Sequence, residues 1–191
     1  MATSWTSICN QSLGKLGTKL ISDIDTDTDP NAVKCRALYE GVRDELLRLH
    51  DWNCAIERKE LAVLGTTPVF DWSYEYTLPT SPYCLRVLNT EGNYPFEVEG
   101  RKLLTNQNTC KIRYIARITD PTKLEPLFIR AMVFQLASQL AISITSSGTL
   151  KDRMDREFKD AILEAEGTDA IEGEAQDRDQ AETDLWIDAG R

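Results

Sequence analysis

The chain has 191 residues, a formal charge of −9 and a hydrophobic content of 41%, which is enough for the core of one domain with an insertion or a tail. Five widely spaced cysteines without a Cys-x-x-Cys pattern exclude a disulfide framework and favour reduced thiols in a cytosol. The acidic balance argues against nucleic-acid binding as the main source of affinity, because clustered lysines and arginines neutralise phosphates. We find no apolar run long enough to span a bilayer and no basic signal-peptide segment.

Two amphipathic helices are predicted at the start of the chain. Apolar residues recur at helical spacing over residues 4–16, with Ser4 as the cap, and Gly17 follows where a left-handed backbone ends many helices. An aspartate-rich loop comes next, with Asp29 as the cap and Pro30 as the first residue of a second helix reaching about residue 49.

From about residue 57 the hydrophobic period changes from 3.6 to two, which is typical of strands. The alternation is strictest over residues 69–78, which we predict as one strand. Further strands are predicted around residues 84–88, on both sides of a hairpin turn at 99–101, and over 111–118. These strands predict a small antiparallel β unit over residues 57–119.

Helical spacing returns after residue 120. The helix that begins at Pro126 is apolar on two faces and ends near Gly148, which predicts the central buried helix of a bundle. A last helix is predicted to stop at Gly167. The expected fold is therefore α+β: a four-helix bundle (residues 1–56 and 120–167), the β unit inserted between helices two and three, and an extended acidic C-terminal arm (168–191).

The charge of the chain is concentrated at its C-terminal end. Residues 164–191 hold ten acidic and two basic side chains, whereas residues 1–163 are nearly neutral. An apolar cluster, Leu185-Trp186-Ile187, lies near the end of this segment. Burying a tryptophan hides roughly 150–250 Å², and the segment offers little else that is apolar. We therefore expect the cluster to dock on another chain.

Basic residues form a second candidate interface, on the β unit. Lys111, Arg113 and Arg117 lie opposite the apolar face of their predicted strand, and Arg101 and Lys102 lie near the hairpin turn. Because no exposed aromatic residue alternates with them, a solvated sheet face or a protein interface is favoured over a nucleic-acid site.

No motif for catalysis or for a metal or cofactor is found. The aspartates between residues 23 and 29 resemble a calcium loop, but the required glycine and final glutamate are missing. His50 is the only histidine, and Cys54 follows it without a third catalytic group. We therefore predict that the protein is not an enzyme and that it has no cofactor or metal site.

Several sequence blocks, in this order and spacing, resemble one family over nearly the whole chain. They are KCRALYEGVRDELLRLHDWNCAIERKELA, FDWSYEYTLP with CLRVL, EVEGRKLLT, IRYIARITDPTKLEPLFIRAMVFQLASQLAISITSS and DLWIDAGR. The chain is similar here to the tail adaptor proteins of short-tailed bacteriophages, also called tail tubular protein A or head-to-tail connector.

This resemblance implies a structural protein of the virion tail, made in the bacterial cytoplasm. Twelve copies would form a ring beneath the portal protein, bind the tail nozzle and extend the conduit through which genomic DNA passes without specific binding. The helical bundle would pack against neighbouring copies and the portal, and the β unit would face the nozzle. Leu185, Trp186 and Ile187 would dock on the portal or a neighbouring copy, and Arg191 would pair with an acid or a carbonyl. Two alternatives are a tail-associated carboxylate hydrolase acting on the host envelope and an acidic-tailed host-directed regulator.

Overall fold

The structure is a computed structural model that describes the backbone of residues 3–188 and the side chains of residues 3–172. The chain divides into two compact units, one formed by residues up to Arg43 together with those from Asp120 onward, and the other by Asp44–Thr119. In chain order, the helices and strands are α1 Trp5–Lys15, α2 Pro30–Leu49, β1 Ile56–Leu61, β2 Tyr74–Thr77, β3 Cys84–Thr90, β4 Phe96–Glu99, β5 Lys102–Thr105, β6 Cys110–Ala116, α3 Pro126–Thr145 and α4 Gly148–Asp188.

Local capping determines the ends of the first two helices, as the sequence predicted. The Ser4 hydroxyl accepts a hydrogen bond from the Ser7 backbone N–H at 3.1 Å. Gly17, just beyond α1, has φ +66°, a conformation that costs glycine little. At the start of α2, the Asp29 carboxylate accepts from the Asn31 backbone N–H at 2.9 Å. These predictions are confirmed.

Helix α3 is the core of the helical unit. Ten of its side chains are buried, among them Phe128, Met132 and Leu136. Contrary to the sequence expectation, α3 is long and apolar enough to cross a membrane, because an 18-residue stretch of it has a mean hydropathy of 1.6. Within the protein, 56% of this stretch is buried. Burial of this kind is what a core helix of a folded unit shows.

The predicted four-helix bundle is wrong. The protein is α+β with helices at both ends and two three-stranded antiparallel sheets in the middle. In the helical unit α3 packs along α4 and against α1. Helix α2 contributes only its residues up to Arg43 to this unit, because its remaining residues belong to the β unit.

The predicted extended arm is also wrong, because α4 continues to Asp188. Gly167 lies inside the helix, where a glycine costs only about 1 kcal/mol relative to alanine. The 21 residues that follow combine eight Ala, Glu and Gln, which favour helices, with five Asp and Gly173, which do not. At 1.5 Å per residue, the part after Gly167 is about 30 Å long, whereas an extended arm would reach roughly 80 Å.

The β unit contains two antiparallel sheets, with strand orders β1-β6-β3 and β2-β5-β4. Side chains from both sheets form one apolar core, and β6 alternates as predicted, with Ile112 and Tyr114 inward. The predicted hairpin is confirmed: β4 and β5 are joined at Gly100, which has φ +57°. The core comprises Leu61, Tyr76, Leu78, Cys84, Leu103, Cys110, Ile112, Tyr114 and Ala116.

The predicted strand over residues 69–78 is wrong in its first half, because pairing begins only at Tyr74. Asp71 has φ +67° and the Trp72 N–H donates to the Phe70 carbonyl at 2.8 Å, so the chain turns here instead of extending. The alternation of aromatic residues thus continues through a loop that pairs with no strand.

Candidate interaction surfaces

Two of the predicted interface arginines, Arg101 and Arg117, lie on the faces of one tyrosine ring. Their guanidinium carbons are 4.1 Å and 4.4 Å from the centroid of the Tyr83 ring. Arg101 also donates to the carbonyls of Cys84 (2.7 Å) and Pro79 (2.6 Å). Arg117 is 2.5 Å from the Asp44 carboxylate. Both arginines therefore stabilise the β unit internally.

The two predicted interface lysines each pair with a glutamate. Lys102 is 2.9 Å from the Glu75 carboxylate, which is buried. Lys111 is 3.0 Å from the Glu91 carboxylate, and this contact raises the pKa of Lys111. Both ammonium groups are half exposed, so solvent screens these pairs and they contribute little to stability.

The remaining predicted residue, Arg113, lies in a row of side chains on the face of sheet β1-β6-β3 opposite the core. Arg58 of β1 and Asn89 of β3 are its cross-strand partners. Cross-strand partners have Cβ atoms about 4.5–5.5 Å apart, and like charges in this position destabilise a sheet. The Arg113 Nε is buried without a hydrogen-bond partner, as are the Nε atoms of Arg86 and Arg117.

The rows on either side of Arg58 and Arg113 are neutralised by carboxylates. Lys111 lies across from Glu60 and pairs with Glu91, and on the other side Arg86 pairs with Asp51. Within the described side chains, Arg58 and Arg113 have no such partner. Positive charge is therefore concentrated in the row formed by Arg58, Arg113 and Asn89, which we call the arginine row.

The arginine row opens into a cavity of about 480 Å³. Its other wall is the turn after β3, where Gly92 and Asn93 have φ values of +74° and +52°. This volume lies within the range of about 300–1,000 Å³ that is usual for binding pockets. Arg58 was not predicted as a site residue from the sequence, because only the register between β1 and β6 places it beside Arg113.

An exposed apolar loop tip is a second feature that sequence analysis missed. The Val69 and Phe70 side chains are 96% and 75% exposed. The base of the loop is fixed, since the Trp72 indole N–H donates to Glu97 at 3.1 Å and the Asn106 amide oxygen accepts from the Ser73 N–H at 2.9 Å. Two adjacent apolar side chains held out on an anchored loop favour a protein interface.

The C-terminal anchor predicted from the sequence is placed only in part. Leu185, Trp186 and Ile187 belong to α4, and their side chains lie outside the described residues. Arg191 also lies outside them. Near the start of α3, the charges of Asp169 and Glu172 of α4 act on Glu125. The helix therefore continues past the start of α3 by about 16 residues, or roughly 24 Å.

In the aspartate-rich loop, the carboxylates accept hydrogen bonds from backbone N–H groups of the same loop. Asp23 accepts from the backbone N–H groups of Asp25 and Thr26 at 2.9 Å, and Asp27 accepts from those of Ser22 and Asp29. Hydrogen bonds from Asp29, then from Ser22, lower the pKa of Asp27 to about 2. These carboxylates are thus committed to the turn.

Ionisation of Glu125, the residue immediately before α3, is expected to affect the stability of the fold. Burial raises its pKa, and the negative charges of Asp169 and Glu172 raise it further. Since the folded pKa is above the unfolded one, ionisation of Glu125 costs stability as the pH rises through that interval.

We therefore expect Glu125→Gln to raise the melting temperature at pH 7, with a gain of about 1 kcal/mol or less. The gain should disappear below the ordinary glutamate pKa of about 4.3, because Glu125 is then protonated in both states. Thermal unfolding at several pH values checks this, with Glu45→Gln at an exposed site on α2 as the control. A gain that is constant with pH would contradict the electrostatic cause.

No protein-family model matches this chain, and a search of curated proteins gives no match.

Proposed function

We propose that this protein is a tail adaptor: a structural protein whose copies form a ring, twelvefold by the family resemblance, between a phage portal and its tail nozzle. The observation that carries the proposal is the acidic end of α4, which continues past α3 and ends in the Leu185-Trp186-Ile187 cluster. A tryptophan at the end of a charged helix needs a receiving surface, and a ring assembly supplies one on each neighbour or on the portal.

Ring formation on the portal also agrees with the size of the candidate contacts. A stable protein–protein interface buries about 1,200–2,000 Å² of surface. A single loop tip or helix end buries less than this, so we expect the isolated protein to be a monomer. On a portal ring, each further contact becomes effectively intramolecular, and avidity closes the adaptor ring. The proposed role is structural and involves no catalysis.

Negative-stain electron microscopy of the protein mixed with portal rings of the same phage tests the proposal. We expect a second ring of density stacked on the portal. Bare portals in the presence of excess protein would contradict the proposed function.

The loop tip is the surface we assign to the nozzle within this proposal, because the resemblance places the β unit on the nozzle side. Val69→Ser with Phe70→Ser should weaken nozzle binding by about tenfold or more, since two exposed apolar side chains become buried in the complex. The melting temperature should not change, because neither side chain belongs to the core.

Binding of the assembled portal–adaptor complex to purified nozzle, measured by biolayer interferometry, checks this prediction. Val63→Ser, at another exposed apolar position of the β unit, is the matched control. Equal nozzle binding by the loop variant and the wild type would exclude the loop tip from the interface.

A further inference from the structure

The arginine row has the chemistry of a carboxylate site. Arg58 and Arg113 are cross-strand partners, each guanidinium group can donate two parallel hydrogen bonds to a carboxylate, and the Asn89 amide adds a neutral donor. A bound anion would relieve the repulsion between Arg58 and Arg113 and would give the buried Arg113 Nε a partner.

The chain carries a matching set of carboxylates at its C-terminal end. Glu164 pairs with Arg130 and Asp169 is buried, so these two are already used in the helical unit. The segment 172–191, by contrast, holds seven acidic residues and two basic ones. This segment therefore carries −5 of the net charge of −9, over only 20 residues.

We infer that the arginine row of one copy binds carboxylates of segment 172–191 of a second copy. The two surfaces are different parts of one chain, so the contact is heterologous, and repeated heterologous contacts close into a ring when the rotation between copies allows it. This inference rests on the proposed function, because it names the lateral contact of the adaptor ring.

Charge favours a protein segment over DNA as the occupant. The arginine row is small, and carboxylates surround it on both sides, at Glu60 and Glu91 and at Asp51. A DNA backbone extends over many phosphates and would meet these carboxylates, whereas a helix can present one or two carboxylates to the row. The test therefore includes DNA as a competing ligand.

The probe is a fluorescein-labelled peptide of residues 172–191, titrated with the full chain and followed by fluorescence anisotropy. We expect binding by the wild type that weakens as salt rises, because the contact is between exposed charges. Arg58→Gln with Arg113→Gln should weaken binding by about tenfold or more. The same variant should fold with an unchanged or higher melting temperature, because it removes a repulsive cross-strand pair.

The matched control is Arg153→Gln with Arg156→Gln, which changes the net charge equally at exposed positions of α4. The control should bind the peptide like the wild type. Equal losses in both double variants, no loss in the arginine-row variant, or no wild-type binding of the peptide would overturn the inference. So would a DNA duplex that binds the row while the peptide does not.

Assembly on portal rings separates this inference from the proposed function. If the wild type forms a ring on the portal and the arginine-row variant does not, both are supported. If both proteins form rings with equal efficiency, the lateral contact is wrong and the adaptor function is retained. If the wild type forms no ring, the adaptor function fails, and peptide binding alone decides whether the arginine row receives the acidic segment.

Discussion

Truncation after Glu182 abolishes ring assembly on the portal and leaves the fold intact: this is the first result we expect. The truncation removes the Leu185-Trp186-Ile187 cluster and Arg191. Burial of the tryptophan is worth on the order of 4–6 kcal/mol before ordering costs. This contribution is lost at every position of a ring, so the effect on assembly is far larger than the effect on one contact.

The free energy of unfolding should change by less than about 0.5 kcal/mol, because the buried side chains described in α4 end at Asp169, before the truncation. Trp186→Ala is the sharper variant, and Asp179→Asn in the same segment controls for a change of charge. Portal binding is measured by sucrose-gradient co-sedimentation. A truncated protein that still forms rings would remove the C-terminal anchor from the mechanism.

The second large effect is expected from Trp52→Ala in the β unit. The Trp52 side chain is fully buried, and its indole N–H donates to the Leu46 carbonyl at 2.8 Å. His50 lies edge-on to the ring, with 4.9 Å between centroids. Replacement by alanine leaves a cavity and removes this hydrogen bond, which together cost about 3–5 kcal/mol. Since a whole domain is stable by about 5–15 kcal/mol, much of the stability would be lost.

Urea denaturation followed by circular dichroism measures this loss. Trp72→Ala is the control, because that side chain is only partly buried and donates to an exposed glutamate. Trp52→Phe should lie between the two, since it keeps most of the apolar volume and loses the hydrogen bond. A Trp52→Ala protein within about 1 kcal/mol of wild type would show that this site relaxes around the cavity.

Signals carried by a few adjacent residues predicted the structure well. Ser4, Asp29 and Gly100 act through their own side chains or backbone preferences, so the two helix starts and the β4–β5 hairpin could be read directly from the sequence. Likewise, the alternation in β6 reflects which side chains enter the core, and it predicted the buried face of that strand.

Features that depend on distant residues could not be read in this way. The loop at Val69 and Phe70 has the alternation of a strand, but a strand also requires a partner, and the sequence does not show where pairing begins. Arg113 was found as a basic residue on a strand. Its most informative neighbour, Arg58, is 55 positions earlier and is brought beside it only by the β1–β6 register.

The length of α4 shows a third limit. Charge and composition at the C-terminal end suggested an extended arm, because a strongly acidic segment with few apolar residues cannot form a core. A helix satisfies its own backbone hydrogen bonds without a core, and Gly167 lies inside α4 instead of ending it. The acidic segment was therefore identified correctly by its charge, and its conformation was not.

The solution mass of the purified full chain, alone and after mixing with portal rings, decides most directly whether this protein is a tail adaptor. Mass photometry gives both values at nanomolar concentration. We predict a monomer of 21.6 kDa alone and, with portal, a single species heavier by one full ring of copies. A protein that stays monomeric while the portal keeps its mass would contradict the adaptor function.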